Sequence, residues 1–340
     1  MRIALIGARG QLGTALQSAL AGDVVPLDRS RIDIGDAGGI DACLSEVRPD
    51  LVINAAAYNF VDRAEQEPEA AHRVNALGPK YLAEYCEGHD AALVHVSSDY
   101  VFSGLVRSVD FSPRERLFDG SQHNVHASMR PAWTEVHATQ PVIRTQPYRE
   151  TDDPDPQSVY AASKLAGEEF VRSTCRRHFV LRTCGLYGRA ESAGKGNFVK
   201  TMLRLAGERD ELRVVNDQRC TPTSAADLAG WIAALIGTDA YGLYHATNAG
   251  NCTWYEFAVE IFQSAGRRVS VVPISTAEYV RSDRLQPVKG PAEAGHYEPS
   301  KAKRPPYSVL DCAKLQRVTG LTFRPWETAL AEYVAEECRD

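Results

Sequence analysis

Short apolar runs closed by glycine, proline or polar residues alternate with longer stretches of helical spacing along the first half of this chain, and that alternation admits few folds. RIALIG (2–7), DVVPLD (23–28), DLVINAAA (50–57), AALVHVSSD (91–99) and HFVLRT (178–183) read as buried strands of parallel type. Between them, QLGTALQSALAG (11–22), GGIDACLSEVRP (38–49) and PEAAHRVNALGPKYLAEYCEGH (68–89) read as helices, the second stopped by Pro49. A further helix begins with SVYAASKLAGEEF (158–170) and is expected to run to about Arg177. Alternation of this kind implies an α/β fold, a doubly wound parallel sheet with helices on both faces.

Two segments break the pattern. Residues 104–147 and 286–306 are polar and punctuated by proline, and both read as long loops or insertions. The first contains His123, His126, His137 and Trp133. Its histidines show no helical spacing and no partner carboxylate, so they read as scattered loop residues rather than a metal site.

Composition narrows the partners. The 340 residues carry a net charge of −6, which argues against nucleic acid or an anionic membrane as the main partner. The opening MRIALIGARG is not a signal peptide, and no apolar stretch is long enough to span a bilayer. The eight cysteines are scattered with no C-x-x-C pair, as expected of reduced thiols in a cytoplasmic protein.

The chemistry-bearing motif nearest the start is GARGQLG, in which Gly7, Gly10 and Gly13 stand between a strand and a helix. Glycines there let backbone approach a pyrophosphate, and the following helix N-terminus supplies N–H groups and a positive dipole end. A dinucleotide-binding loop of Rossmann type is therefore expected. Asp28 ends the second strand, where a carboxylate bonds an adenosine ribose hydroxyl, and Arg29 beside it suits a 2′-phosphate instead. NAD and NADP both stay open on this evidence. Further along, Tyr160 and Lys164 lie four residues apart and share one helical face. They follow a strand ending in Ser97, Ser98 and Asp99.

Together, GARGQLG, VHVSSDYVF, VYAASKLAGE, LRTCGLYG and DQRCTPT resemble the extended short-chain dehydrogenase/reductase family, and within it the dTDP-4-dehydrorhamnose reductases. The resemblance covers nearly the whole chain apart from the two long loops. It implies a reductase that transfers hydride from NADP or NAD to a nucleotide-linked 4-keto-6-deoxysugar. Tyr160 would donate the proton, Lys164 would lower the phenol's pKa and hold the nicotinamide ribose, and Ser98 would bond the substrate carbonyl. Gln11 and Leu12 within the glycine loop, Asp33 and Ile34 near adenine, and Ala55, Ala56 and Ala57 under the cofactor complete the implied cofactor set. Asn59, Val61, Ser98, Asp99, Tyr100, Gly185 and Asn197 are the implied substrate residues, with Arg304 near the nucleotide diphosphate.

The same resemblance implies a Rossmann domain over 1–183 plus about 223–240, and a smaller C-terminal α/β substrate domain over about 184–222 and 241–340. A homodimer stays open, and no metal is implied, because Ala15 stands where some members place a glutamate for Mg²⁺. Three departures set this chain apart: Gly185 where a tryptophan is usual, Cys220 where a glycine is usual, and the long segment between Ser98 and Tyr160. That segment reads either as a lid, with Trp133 standing in for the missing ring, or as a decorative or assembly loop. A non-catalytic subunit and a sugar-nucleotide epimerase are the alternative functions. Ser98, Tyr160 and Lys164 favour an enzyme over the first, and Tyr100 in place of a glutamate argues against a dehydratase.

Overall fold

The computed structural model describes residues 1–106, 142–190, 196–284 and 302–337. From the N-terminus, β1 (Arg2–Ile6), α1 (Gln11–Ala19), β2 (Asp23–Leu27), α2 (Ala37–Val47) and β3 (Leu51–Asn54) follow in turn. Two short helices, α3 (Val61–Ala64) and α4 (Pro68–His72), precede α5 (Gly78–Gly88) and β4 (Ala92–Ser98). Next come α6 (Val159–Thr174), β5 (His178–Thr183), β6 (Leu186–Tyr187), α7 (Phe198–Ala206) and β7 (Glu211–Val215). β8 (Arg219–Cys220), β9 (Thr223–Ser224), α8 (Ala225–Leu235), β10 (Gly242–His245), β11 (Cys252–Thr253) and α9 (Trp254–Ser264) continue the chain. β12 (Ser270–Ile274), α10 (Thr276–Arg284), α11 (Ala313–Thr319) and α12 (Trp326–Glu337) end it.

Six strands form one parallel sheet in the order β10-β5-β4-β3-β1-β2. The chain steps from β1 to β2 on one side and then to β3 on the other. The direction of growth reverses there, which opens the crevice at the carboxyl ends where α/β sheets bind ligands. Each strand is apolar on both faces because helices cover both. On one face Ile3, Leu5, Ile53, Val94 and Leu181 pack on α1 and α8 through Leu16, Leu228 and Ile232. On the other, Ala4, Ile6, Val52, Leu93 and Val180 meet Leu44, Leu82 and Val171 of α2, α5 and α6. A separate cluster joins Val199, Val214, Phe257, Ile261 and Leu330 in the C-terminal elements, over the parallel pair β7–β12.

The expected elements are all present, with three local differences. The third strand stops at Asn54, whose side chain accepts the Ala56 N–H at 3.1 Å and turns the three alanines out of the sheet. The helix expected over 68–89 contains a π-helical turn at Arg73–Leu77. Pro79 has no N–H to give the Asn75 carbonyl four residues back, and the widened turn, closed by Gly78 N–H on Arg73 O, accommodates it. Lastly, α6 ends at Thr174, short of Arg177, and Cys175 is already extended.

Most of the 104–147 segment, including His123, His126, His137 and Trp133, lies outside the described residues, as does most of 286–306. The described ends of the first pair with each other, Leu105 against Ile143 antiparallel, with Val106 N–H on Val142 O at 2.8 Å. Among the described residues no helix is long and apolar enough to cross a membrane.

One buried ion pair ties α6 to β5. Arg182 and Glu168 are 1% and 0% exposed and share three hydrogen bonds of 2.6–3.1 Å. Glu168→Gln leaves Arg182 as an uncompensated buried charge, and should cost about 3–5 kcal/mol. Denaturant unfolding measures it; a loss below about 1 kcal/mol would mean that water reaches the arginine.

Candidate active site

The glycine loop is as tight as its composition demands. Gly7 adopts φ +78°, and a Cβ there would lie 2.8 Å from Ala56 N and 2.9 Å from Ala55 C. A Cβ at Gly13 would lie 2.2 Å from Gly7 O. The loop, the start of α1 and the turn at Ala55–Ala56 are thus in backbone contact, possible only with small residues. Gly10 is the N-cap of α1 and makes no side-chain cap, so the first N–H groups of that helix have no side-chain acceptor. Leu12 is buried in the core rather than facing the crevice. Beyond the loop, Asp28 accepts from Ser30 at 2.9 and 2.5 Å and lies 3.6 Å from Arg9. These contacts, Ser30 foremost, hold its carboxyl below the usual range. Arg29 is exposed and forms no ion pair among the described residues. Ile34 is buried, and Asp33 is taken up by Gly35 N–H and by Arg73 at 3.5 Å. Arg9 escaped the sequence reading, although it sits inside the quoted loop.

At the other end of the crevice α6 is fixed in register at its first turn. Ser158 accepts the Ala161 N–H at 3.2 Å as N-cap, and Glu65 accepts the Val159 N–H at 2.8 Å. Tyr160, Lys164 and Glu168 then fall on one face and are 8%, 2% and 0% exposed. Lys164 Nζ donates to Val96 O of β4 at 2.6 Å. Ser98, at the end of β4, lies close enough to Tyr160 to oppose the rise of its phenol pKa, while its own bonds run to Asp99 and the Tyr100 N–H. Residues separated by the long insertion therefore converge.

Asn75 is the residue that sequence reasoning missed here. Its side chain accepts the Tyr58 N–H at 2.8 Å and donates to Ser163 Oγ at 3.1 Å, while Ser163 donates to Tyr160 O at 2.7 Å. It bolts the loop after Ala57 to the turn of α6 that carries Tyr160.

Burial sets the charges. It pushes the Tyr160 phenol up to about 12, with Ser98 opposing, and lowers Lys164 to about 8, with the Glu168 carboxylate opposing. Lys164 was expected to lower the phenol's pKa. In this arrangement its ammonium is held by the Val96 carbonyl, and Ser98 is the group that counters burial of the phenol. Asp99 is raised to about 6 by burial, which the nearby Cys184 and Ser308 and the bond from Ser98 only partly offset. Tyr100 meets Tyr160 edge-on at 6.0 Å, and burial pushes it well above the usual phenol range.

The remaining expected residues divide. Val61 and Tyr100 pack around Tyr160, and Asn59 lies exposed at the approach. Asn197 is different. It caps α7, accepts the Lys200 N–H at 2.9 Å, and its Nδ2, with two protons to give, lies 2.9–3.2 Å from three acceptors, Gln11 Oε1, Gly188 O and Tyr333 Oη. Its polar atoms are fully engaged inside the protein, so it joins Gln11 of the glycine loop to the C-terminal helices rather than presenting a free amide. Gly185 adopts φ +51°, and a Cβ there would lie 3.3 Å from Pro222 Cα and 3.5 Å from Trp254 Cη2. The Cys220 thiol lies beside that of Cys184, with Cys252 opposite Cys220 across the β8–β11 pair. The two departures at 185 and 220 thus share one wall, which Trp254 backs. Arg304 forms a two-pronged pair with Asp62 of α3 at 2.7 and 3.0 Å. Among the described residues no three His, Cys, Asp or Glu side chains are grouped to hold a metal ion.

Comparison with known proteins places this geometry in context. A family model described as the RmlD substrate binding domain matches residues 1–338. The dTDP-4-dehydrorhamnose reductase of Escherichia coli (strain K12) is 34% identical, over 99% of this chain and 98% of that protein. The spore coat polysaccharide biosynthesis protein SpsK of Bacillus subtilis (strain 168) is 33% identical, over 98% and 97%. Among solved structures, the dTDP-4-dehydrorhamnose reductase of Bacillus anthracis in complex with NADP superposes with a TM-score of 0.77. It is 34% identical, covering 98% of this chain and 99% of that one.

The raised pKa of Asp99 carries a sign. A carboxyl at about 6 in the folded chain, against an ordinary 3.8, binds its proton more tightly folded than unfolded. Its contribution to stability is most favourable below about pH 4 and is lost as pH rises through about 6. Asp99→Asn should therefore gain roughly 3 kcal/mol on its parent between about pH 4 and pH 7, at about 1.4 kcal/mol per unit. Denaturant melts of both proteins across that window measure it, and a difference that stays flat with pH would refute it.

Proposed function

The chain belongs to the RmlD substrate binding domain family, and from that membership and the geometry of the site we propose that it is an NAD(P)H-dependent reductase of a nucleotide-linked 4-keto-6-deoxysugar. dTDP-4-dehydrorhamnose is the first substrate to test. The observation that carries the reading is the meeting of Ser98, Tyr160 and Lys164 at the end of β4, on the crevice that the glycine loop borders.

The residues present fit a dinucleotide. Gly7 and Gly13 have no space for a side chain, and the first N–H groups of α1 have no side-chain acceptor to compete with a pyrophosphate. Asp28 is already engaged by Ser30 and Arg9, which weakens it as an acceptor for a ribose hydroxyl, while Arg29 stands exposed beside it. That pattern favours the phosphorylated cofactor, NADPH. Bound there, the reduced nicotinamide supplies hydride for the carbonyl carbon.

The chain's own groups do the rest. Tyr160 is protonated throughout the neutral range and gives its proton to the oxygen of the carbonyl being reduced. Ser98 fixes that oxygen against the phenol. Lys164, one helical turn from Tyr160 and bonded to the Val96 carbonyl, would hold the nicotinamide ribose beside the phenol. Gly185, Cys220 and Trp254 form the wall that sets which sugar fits.

Tyr160→Phe removes one oxygen and should leave folding intact while lowering turnover by about 10²-fold or more. Single-turnover reduction of the best substrate from a panel of dTDP-, UDP- and GDP-4-keto-sugars measures it. A variant that reduces as fast as its parent would turn the reading toward a non-catalytic subunit. Arg29→Ala should weaken NADPH more than NADH in a binding titration; equal loss for both would remove Arg29 from phosphate recognition.

A further inference from the structure

We propose that Asp99 is a positioning residue that works through Ser98 and stores the proton that restores Tyr160 after each reduction, a role that rests on the reductase reading. Ser98 Oγ donates to Asp99 Oδ1 at 3.1 Å and accepts the Tyr100 N–H at 3.2 Å. A hydroxyl has one proton to give. In this arrangement it is committed to the carboxylate, and the Tyr160 phenol lies near enough for Ser98 to lower its pKa without a bond between them in this state. Tyr160, Ser98 and Asp99 therefore stand in series.

The far end of this chain of hydroxyls is suited to hold a proton. Asp99 is 2% exposed, and its Oδ2 is buried without a hydrogen-bond partner. An ionised carboxylate with an empty buried oxygen is costly, and neutralising it removes most of that cost. Among the described residues, the groups facing it are Ser98 and Tyr100 from the end of β4, Tyr160 from α6, Cys184 after β5, and Ser308 from the 302–310 segment. No lysine or arginine is among them; Arg304 acts on Tyr100 instead, and Lys164 is bonded to Val96 O. The burial that raises Asp99 to about 6 keeps a protonated fraction near neutrality.

Protonating Asp99 reverses the direction of the link: the carboxyl O–H donates to Ser98, and the proton of Ser98 turns to Tyr160. Once Tyr160 has given its proton to the product oxygen, the Ser98 proton moves to the phenolate as the Asp99 proton moves to Ser98 Oγ. O–H bonds break at Asp99 and Ser98 and form at Ser98 and Tyr160. The net change is one proton moved from carboxyl to phenolate, with no electron transferred. Asp99 takes its next proton from water between turnovers.

The test separates the first turnover from later ones. Tyr160 starts protonated, so Asp99→Asn should slow the first equivalent of dTDP-4-dehydrorhamnose reduced with NADPH far less than those that follow. Later turnovers should slow by about 10²-fold, a burst that the parent lacks. The parental kcat should decline as pH rises through about 6, and the variant should lose that limb. Asp99→Glu should restore later turnovers in part, and Ser98→Ala should show the same burst on a slower first turnover. If Asp99→Asn slows the first turnover as much as the rest, or slows neither, the proposal fails while the reductase reading stands. If the parent reduces no keto-sugar, the reductase reading fails and takes the catalytic role of Asp99 with it. Infrared titration of the Asp99 carboxyl checks the link without substrate and without the Asp99→Asn protein: its midpoint should shift in Ser98→Ala, and an unmoved midpoint overturns the proposal.

Discussion

Glu168 and Arg182 meet out of reach of water, and the position of α6 follows from that meeting. The carboxylate lies two helical turns after Tyr160 and one after Lys164, so pinning it to β5 sets the height of both along the sheet. Arg182 also lies over the Phe102 ring at 5.0 Å, which ties the same anchor to the segment after β4. On the other side of the helix, Gly167 lets α6 press onto the π-turn, since a Cβ there would lie 2.1 Å from Asn75 O. The proline that forces the π-turn, the glycine that accepts it and the ion pair that locks the helix form one packing solution. Tyr160 and Lys164 are carried by it.

Desolvation dominates the electrostatics of the site. Tyr160, Lys164 and Asp99 are each moved toward their neutral forms, and the nearby hydrogen bonds and charges only temper that shift. A phenol that stays protonated, an ammonium held near its titration range and a carboxyl near neutrality are a proton-handling set. None of the three is a surface group with a shifted partner. The same burial that makes them suitable would make an isolated charge there destabilising, which is why Lys164 has a carbonyl and Glu168 has an arginine.

Gly185 and Cys220 lie together. Gly185 in a left-handed turn, the Cys184 and Cys220 thiols and the edge of Trp254 make one wall beside Asp99. Asn197 meanwhile connects the glycine loop, through Gln11, to Tyr333 of α12. Closure of the crevice around a ligand would have to work against that bond, so the two ends of the molecule are mechanically joined at the cofactor loop.

The order of strands and helices, the glycine loop and the Tyr160–Lys164 spacing were legible from residues alone. Each depends on local rules: apolar periodicity, the absence of a Cβ, and the geometry of a helical turn. Arg9, Asn75 and Trp254 were not legible, because their importance comes from what lies across from them. Asn197 was placed with the substrate on resemblance, yet its amide is used within the protein, and only the packing of four separate segments shows this. The effect of Lys164 on the phenol was inferred from proximity on a helix, but spacing says nothing about which acceptor a flexible ammonium chooses. Sequence by itself determined the sheet, the loop and the face of α6. Tertiary structure decided which protons are shared, because hydrogen-bond partners and desolvation depend on groups distant in the chain.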